Sequence, residues 1–96
     1  MFEILEKKLL APNIYSVDIL APRVAKASLP GQFIILRVDE SGERIPLTIC
    51  DTKREEGRVT IVVQAVGAST KQLVSKEVGD YIRDFVGPLG KPSAFV

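Results

Sequence analysis

Val59-Thr60-Ile61-Val62-Val63-Gln64-Ala65-Val66-Gly67-Ala68-Ser69-Thr70 decides the reading of this chain. Val59, Ile61, Val63 and Ala65 recur at every second position, with Thr60 and Gln64 between them. That is the period of a half-buried strand. Gly67 breaks the strand, and Ser69 with Gln72 three residues on has the spacing of a helix capping box. Leu73 supplies an apolar position, and Gly79 is placed to stop the helix. The expectation is a strand that turns at a glycine into one short helix over 69–77.

The same period recurs outward from this stretch. Tyr15, Val17 and Ile19 alternate with Ser16 and Asp18. Phe33-Ile34-Ile35-Leu36-Arg37-Val38 is an almost continuous apolar run behind a Pro30-Gly31 turn signal. Residues 81–86 read as a further strand, as do 2–10 and 45–51. Ala11-Pro12-Asn13 and Ala21-Pro22-Arg23 read as turns, because proline fixes φ and donates no ladder hydrogen bond. Residues 39–43 and 51–57 are polar, glycine-containing loops. Six short strands at these intervals make the chain all-β, an antiparallel barrel or sandwich. A barrel also removes the bare edges of so small a sheet.

Composition narrows the chemistry. Ninety-six residues fit one domain, which buries roughly two-thirds of its unfolded surface. Thirteen basic against twelve acidic residues, interspersed, give no basic surface for nucleic acid or an anionic membrane. A single cysteine and no histidine exclude an ordinary zinc site, a cysteine-ligated iron–sulfur cluster and a histidine-dependent triad within this chain. Met1-Phe2-Glu3-Ile4 lacks a signal-peptide pattern, and no apolar run approaches the ~20 residues that span a bilayer. The expected location is cytoplasmic.

Two segments hold candidate binding groups. The first is Arg44-Ile45-Pro46-Leu47-Thr48-Ile49. A guanidinium donates bidentate bonds to phosphate, Thr48 presents a hydroxyl from a strand, and Pro46 and Leu47 offer an apolar platform. Proline also limits strand pairing, which leaves backbone groups for a ligand. The plain alternative is a strand entry with a solvated arginine and a core threonine. The second is Val63-Gln64-Ala65-Val66-Gly67 with Ser69 and Thr70, where hydroxyls and a helix start suit a phosphate. An ordinary helix cap is the alternative there. Gln64 either bonds a nucleotide or faces water. Cys50 is expected as a small buried hydrophobe, and Tyr15 and Tyr81 as core residues.

Taken in order, Gly31-Gln32-Phe33, Arg44 to Ile49, Val66 to Thr70 with Leu73, Gly79-Asp80 and Gly87-Pro88-Leu89-Gly90 resemble the flavin-binding domain of the ferredoxin–NADP reductase superfamily. The resemblance covers nearly the whole chain. It is closest to the branch holding the dihydroorotate dehydrogenase electron-transfer subunit and the flavin subunit of NADH-dependent ferredoxin–NADP oxidoreductase (sulfide dehydrogenase). It implies a six-stranded antiparallel Greek-key β-barrel with one short helix, binding FAD. Thr48 would lie at the reactive edge of the ring, and Arg44 at the phosphates or ribityl chain. Residues 63–66 would run along the flavin, with Ser69 and Thr70 at the pyrophosphate. In this sequence Arg44 and Thr48 are four apart, with threonine where many relatives have Arg-x-x-Ser.

The resemblance implies that residues 1–90 are the FAD-binding barrel and 91–96 the start of a linker. Relatives continue into an NAD(P)-binding domain, and this branch adds a [2Fe–2S] cysteine cluster; neither is in this sequence, which therefore reads as a truncated fragment, inactive alone. The implied function is a flavin oxidoreductase passing electrons between NAD(P)H and an iron–sulfur centre or ferredoxin. Its partners would be the NAD(P) domain and an iron–sulfur or flavin subunit; a homodimer of the fragment is a further expectation, since an uncovered domain face is apolar. The alternative is a cofactor-free small β-barrel interaction module, because fold does not fix function.

Overall fold

The computed structural model describes residues 1–29 and 31–91. Pro30 of the expected turn, and most of the expected linker at 91–96, lie outside the described residues. Among the described residues, seven strands form one antiparallel sheet: β1 (Phe2–Ala11), β2 (Ile14–Leu20), β3 (Phe33–Arg37), β4 (Ile45–Lys53), β5 (Arg58–Gln64), β6 (Tyr81–Ile82) and β7 (Asp84–Leu89). Their order across the sheet is β6-β1-β2-β5-β4-β3-β7. β3, β4 and β5 form a meander, and β7 returns to lie beside β3, which is the Greek-key arrangement.

The expected barrel is present, with seven strands in place of six. The difference lies in residues 81–86, expected as one strand. They divide at Arg83, whose N–H donates to the Val38 carbonyl instead of joining the ladder (3.1 Å). Before the break, Tyr81 and Ile82 pair with Glu3 and Phe2 of β1. After it, Asp84, Phe85 and Val86 pair with Arg37, Leu36 and Ile35 of β3. The two edges of the sheet are thus covered by consecutive pieces of one run, and the barrel closes there.

Among the described residues, two α-helices stand where one was expected. The first, α1 (Pro22–Ala27), falls on the Ala21-Pro22-Arg23 segment read as a turn. Proline serves a helix start as well as a turn, because its fixed φ suits the first helical turn and its missing N–H would have no helical partner there. Burial of Val24 and Ala25 then favours the helix. Gly57, at φ 66°, ends a 3₁₀ turn (Arg54–Glu56) beneath it. A side chain at Gly57 would have its Cβ only 2.9 Å from Pro22 Cγ. The second helix, α2 (Ala68–Val74), is shorter than the expected 69–77. Its cap is also two residues earlier than expected. Gly67 is the N-cap residue; its N–H donates to Thr70 Oγ1 (3.0 Å), and that hydroxyl donates to the Gly67 carbonyl (3.1 Å). Ser69 and Gln72 are left for other partners.

Alternation along the strands builds the core. Val17, Ile19, Ile34, Leu36, Val59, Ile61 and Val63 are wholly buried, joined by Ile4, Ile82 and Leu73 of α2. Burying each such side chain contributes about 1.5–3 kcal/mol. Tyr15 packs partly against this core, as expected, whereas Tyr81 is half exposed on the two-residue strand β6. Cys50 is exposed rather than buried. It follows buried Ile49 and shares the outward face of Pro46 and Thr48, before the register shift between Ile49 and Asp51. No described helix is long and apolar enough to cross a membrane.

Candidate functional site

The site grows from a change of partners along β4. Its first half pairs with β3, Leu36↔Ile45 through Phe33↔Thr48. Its second half pairs with β5, from Ile49↔Ile61 to Lys53↔Arg58. The next rung toward the start of β4 would set Thr48 opposite Val62, and it is not formed. Beyond Ile61, β5 continues with β2 alone, Ser16↔Val62 to Ile14↔Gln64. β4 and β5 therefore part at Thr48 and Val62. The Ile49 N–H points away from β5, to the Gln32 carbonyl (2.9 Å). Backbone groups alternate sides along a strand, so those of Thr48 face the gap. Pro46 faces it too, where its missing N–H leaves no rung unmade.

The outward side chains around this gap make an open shelf. Pro46, Thr48 and Gln64 are exposed, and so are Val62 (40%) and Val66 (68%). Leu47 packs inward against the core, and Val63 and Ala65 are buried. Of the predicted residues 63–66, only Gln64 and Val66 offer side chains outward; the others offer backbone. Val62 was not among the predicted residues, although the alternation that turns Thr60 and Gln64 away from the core sets it on the same face.

The two motifs meet at the end of the shelf. Ser69 Oγ, in the first turn of α2, donates to Glu43 Oε2 (3.3 Å), immediately before Arg44. Arg44 itself is exposed and makes no ion pair or side-chain hydrogen bond with another described residue. Neither Thr48 nor Gln64 commits its side chain to a described partner. Thr70 differs: its hydroxyl is taken up by Gly67. One outcome is that Arg44, Thr48 and Gln64 remain free for a ligand, while Ser69 and Thr70 must exchange a bond or use their N–H groups.

A second side-chain contact joins the same elements. Gln72 Nε2 donates to Asp39 Oδ2 (2.6 Å). The other Asp39 oxygen accepts from the Ser41 N–H (3.0 Å) and hydroxyl (2.9 Å). The Ser41 hydroxyl foremost, with the Ser41 N–H and Gln72, holds the Asp39 carboxyl below its ordinary range. No periodicity or motif links residues 33 positions apart, so sequence reasoning missed Asp39 and Gln72.

The remaining motif, Gly31-Gln32-Phe33, is structural. Gln32 Oε1 accepts from the Leu29 N–H (2.8 Å) and Nε2 donates to the Gly90 carbonyl (2.9 Å). Gly90 has φ 79°, and a Cβ there would stand 2.9 Å from the Phe33 ring. These two glycine-bearing motifs are therefore neighbours that fix where β7 leaves the barrel.

No protein-family model matches the chain. It is 60% identical over 96 residues to a Clostridium beijerinckii protein named "Uncharacterized protein in adh 3′ region", spanning 100% of this chain and 32% of that protein. It is 50% identical over 91 residues to a Thermotoga maritima protein named as a homologue of the dihydroorotate dehydrogenase B (NAD(+)) electron transfer subunit; the match spans 95% of this chain and 32% of the relative. The chain thus spans about a third of the length of these curated relatives. A solved structure described as NADH-dependent reduced ferredoxin–NADP oxidoreductase, and reported for flavin-based electron bifurcation, superposes with a TM-score of 0.95 at 48% identity. That superposition covers 98% of this chain and 34% of the solved one.

Proposed function

We propose that this chain, a member of the ferredoxin–NADP reductase-like domains, holds FAD on the shelf where β4 and β5 part, as the flavin-binding portion of an electron-transfer subunit. The observation that carries this reading is the unformed rung between Thr48 and Val62, bordered by three polar side chains without described partners. A flat polar ring needs that combination: unpaired backbone groups at its edge, hydroxyl and amide groups for orientation, and apolar side chains against its face. The flavin-related relatives support FAD as the group that fits.

Each residue then has a task. Thr48 donates or accepts a hydrogen bond at the ring edge, and its backbone and that of Val62 bond the ring. Pro46, Val62 and Val66 exclude water from the ring face. Gln64 bonds ring or sugar. Arg44 neutralises the pyrophosphate, with Ser69 and the backbone from Gly67 to Thr70 completing its contacts. Leu47, Val63 and Ala65 support the shelf from the core side. Bound flavin supplies the passage between hydride and single-electron chemistry; the chain orients it and tunes it. Residues 1–90 form this domain, and 91 onward begins the connection to what lies beyond it in the longer relatives. NAD(P)H as donor, a [2Fe–2S] acceptor, an NAD(P)-binding domain and an iron–sulfur or flavin partner subunit belong to that remainder.

The test is a titration of FAD with the purified chain, followed by flavin fluorescence and the visible spectrum, with FMN and riboflavin alongside. Saturable binding that prefers FAD and weakens in Thr48→Ala and Arg44→Ala is the expected result. A chain that binds no flavin, alone or within the whole protein that carries it, would overturn the reading.

A further inference from the structure

We infer that Gln72, which lies outside the proposed flavin contacts, positions Arg44 for the pyrophosphate by holding the 39–44 loop to α2. The inference rests on the flavin reading above and adds a residue that acts at a distance from the ligand.

The argument begins with what is fixed. Leu73 is wholly buried and seats α2 on the core. At the helix end, Lys7 Nζ of β1 donates to the carbonyls of Val74 (2.8 Å) and Lys76 (2.7 Å). The helix is therefore tied to the barrel by an apolar contact and by a lysine across its last carbonyls. The 39–44 loop has no such apolar contact of its own; Glu40 accepts from Arg83 Nη1 (2.9 Å), and Ser41, Glu43 and Arg44 are exposed. It folds on itself around Asp39, through the Ser41 bonds and the Gly42 N–H donated to the Asp39 carbonyl (3.2 Å). What joins this folded loop to the helix is a pair of side chains three residues apart, Ser69 to Glu43 and Gln72 to Asp39. Residues at that spacing share one helix face, so both ends of the loop are held against the same face.

The two contacts are not equivalent. Ser69 is among the groups that would meet the phosphates, so its 3.3 Å bond to Glu43 is exchanged when a ligand arrives. The 2.6 Å Gln72–Asp39 bond involves neither a proposed ligand group nor its neighbour. It persists, and the position of Arg44 relative to the Gly67–Thr70 turn depends on it. An arginine fork rewards correct placement, because its two bonds to a phosphate need fixed geometry.

The experiment compares riboflavin, FMN and FAD as probes, each titrated against the chain and its Gln72→Leu variant. Removing the contact should weaken FAD binding ~5–10-fold, with riboflavin changed less than ~2-fold because it carries no phosphate. In an Arg44→Ala background, Gln72→Leu should add nothing further. The double variant Asp39→Asn/Gln72→Glu reverses donor and acceptor and should restore FAD affinity, whereas Gln72→Glu alone should not. Circular dichroism and thermal unfolding identify a variant that fails to fold; Gln72→Glu, which keeps shape, then takes the place of Gln72→Leu. An equal loss for riboflavin and FAD would mean general loosening and would overturn the positioning role, as would unchanged FAD affinity in a folded variant. If the unaltered chain binds FAD and only the variant series is flat, this inference alone fails. If the unaltered chain binds none of the three probes, the flavin reading fails and this role fails with it.

Discussion

The two ends of β5 treat their neighbours differently. At its start, Arg58 to Ile61 are paired on both sides, with β2 and with β4. The polar side chains there bond one another, with Arg58 Nε left without a hydrogen-bond partner. Asp18 Oδ1 accepts from the Thr60 hydroxyl and Oδ2 from Arg58 Nη1, each at 2.7 Å. Arg58 also faces Glu56 at 3.3 Å and Glu6 at 3.8 Å, and the bonded Asp18 carboxylate holds its guanidinium pKa above the ordinary value. At its end, Val62 to Gln64 are paired on one side only, and Gln64 points outward with no described partner. One strand thus has a closed end that contributes stability and an open end that leaves groups for a ligand. Polar side chains are a guide to binding only when their hydrogen-bonding capacity is unused.

Substitutions at the two ends should separate stability from binding. The largest effect is expected at Ile61, wholly buried at the last closed rung. Ile61→Ala should lower unfolding free energy by about 3–4 kcal/mol in a urea titration. Asp18→Ala leaves Arg58 and Thr60 without their shared acceptor at a nearly buried site and should lower stability by about 2 kcal/mol, with FAD affinity unchanged. A matching loss of FAD affinity would erase the distinction between the ends.

The open end should behave in the opposite way. Thr48→Ala and Gln64→Ala should each change stability by less than about 0.5 kcal/mol while raising the FAD dissociation constant ~5–10-fold. Stability measured by thermal unfolding and affinity measured by fluorescence decide this. The 39–44 loop carries a pH signature. Because the folded Asp39 carboxyl is held below its ordinary value of 3.8, its contribution is complete above that value and is lost as pH falls through the depressed one. Acid-induced melting of the chain and of Asp39→Asn should therefore differ at neutral pH and converge in strong acid. The smallest effect is expected at Glu43, a carboxylate beside the proposed phosphate contacts. Glu43→Gln should tighten FAD binding ~2–3-fold at low salt, with the gain fading as salt screens it.

How much of this was legible in sequence depends on how local the cause is. Val59, Ile61 and Val63 announced a strand because half-burial imposes period two on neighbouring residues. Pro22 was ambiguous because the same fixed φ starts a turn or a helix, and only burial of Val24 and Ala25 decides. The break at Arg83 was invisible, since 81–86 keep strand-forming residues and the cause is a carbonyl at Val38. Cys50 was misjudged because its residue type favours burial, although its place two residues after Thr48 puts it on the same outward face. At the candidate site, Arg44, Thr48 and Gln64 were found as residue types within segments, whereas the unformed rung beside Thr48 required knowing where β4 changes partner. Asp39 and Gln72 carry no local signal at all; their contact exists only once the helix lies over the loop.

The way the barrel closes has a consequence for its biogenesis. Among the described residues, 79–89 cover the free edges of both β1 and β3, so every strand before them can be made without yielding a finished barrel. During synthesis the earlier strands emerge first and must wait with two exposed edges, each a template for pairing with another chain. Completion then joins Phe2 to Ile82 and Arg37 to Asp84 almost together, contacts so distant in sequence that they form slowly. A chain released before Gly79 would keep both edges bare and is expected to aggregate rather than serve as a smaller working domain.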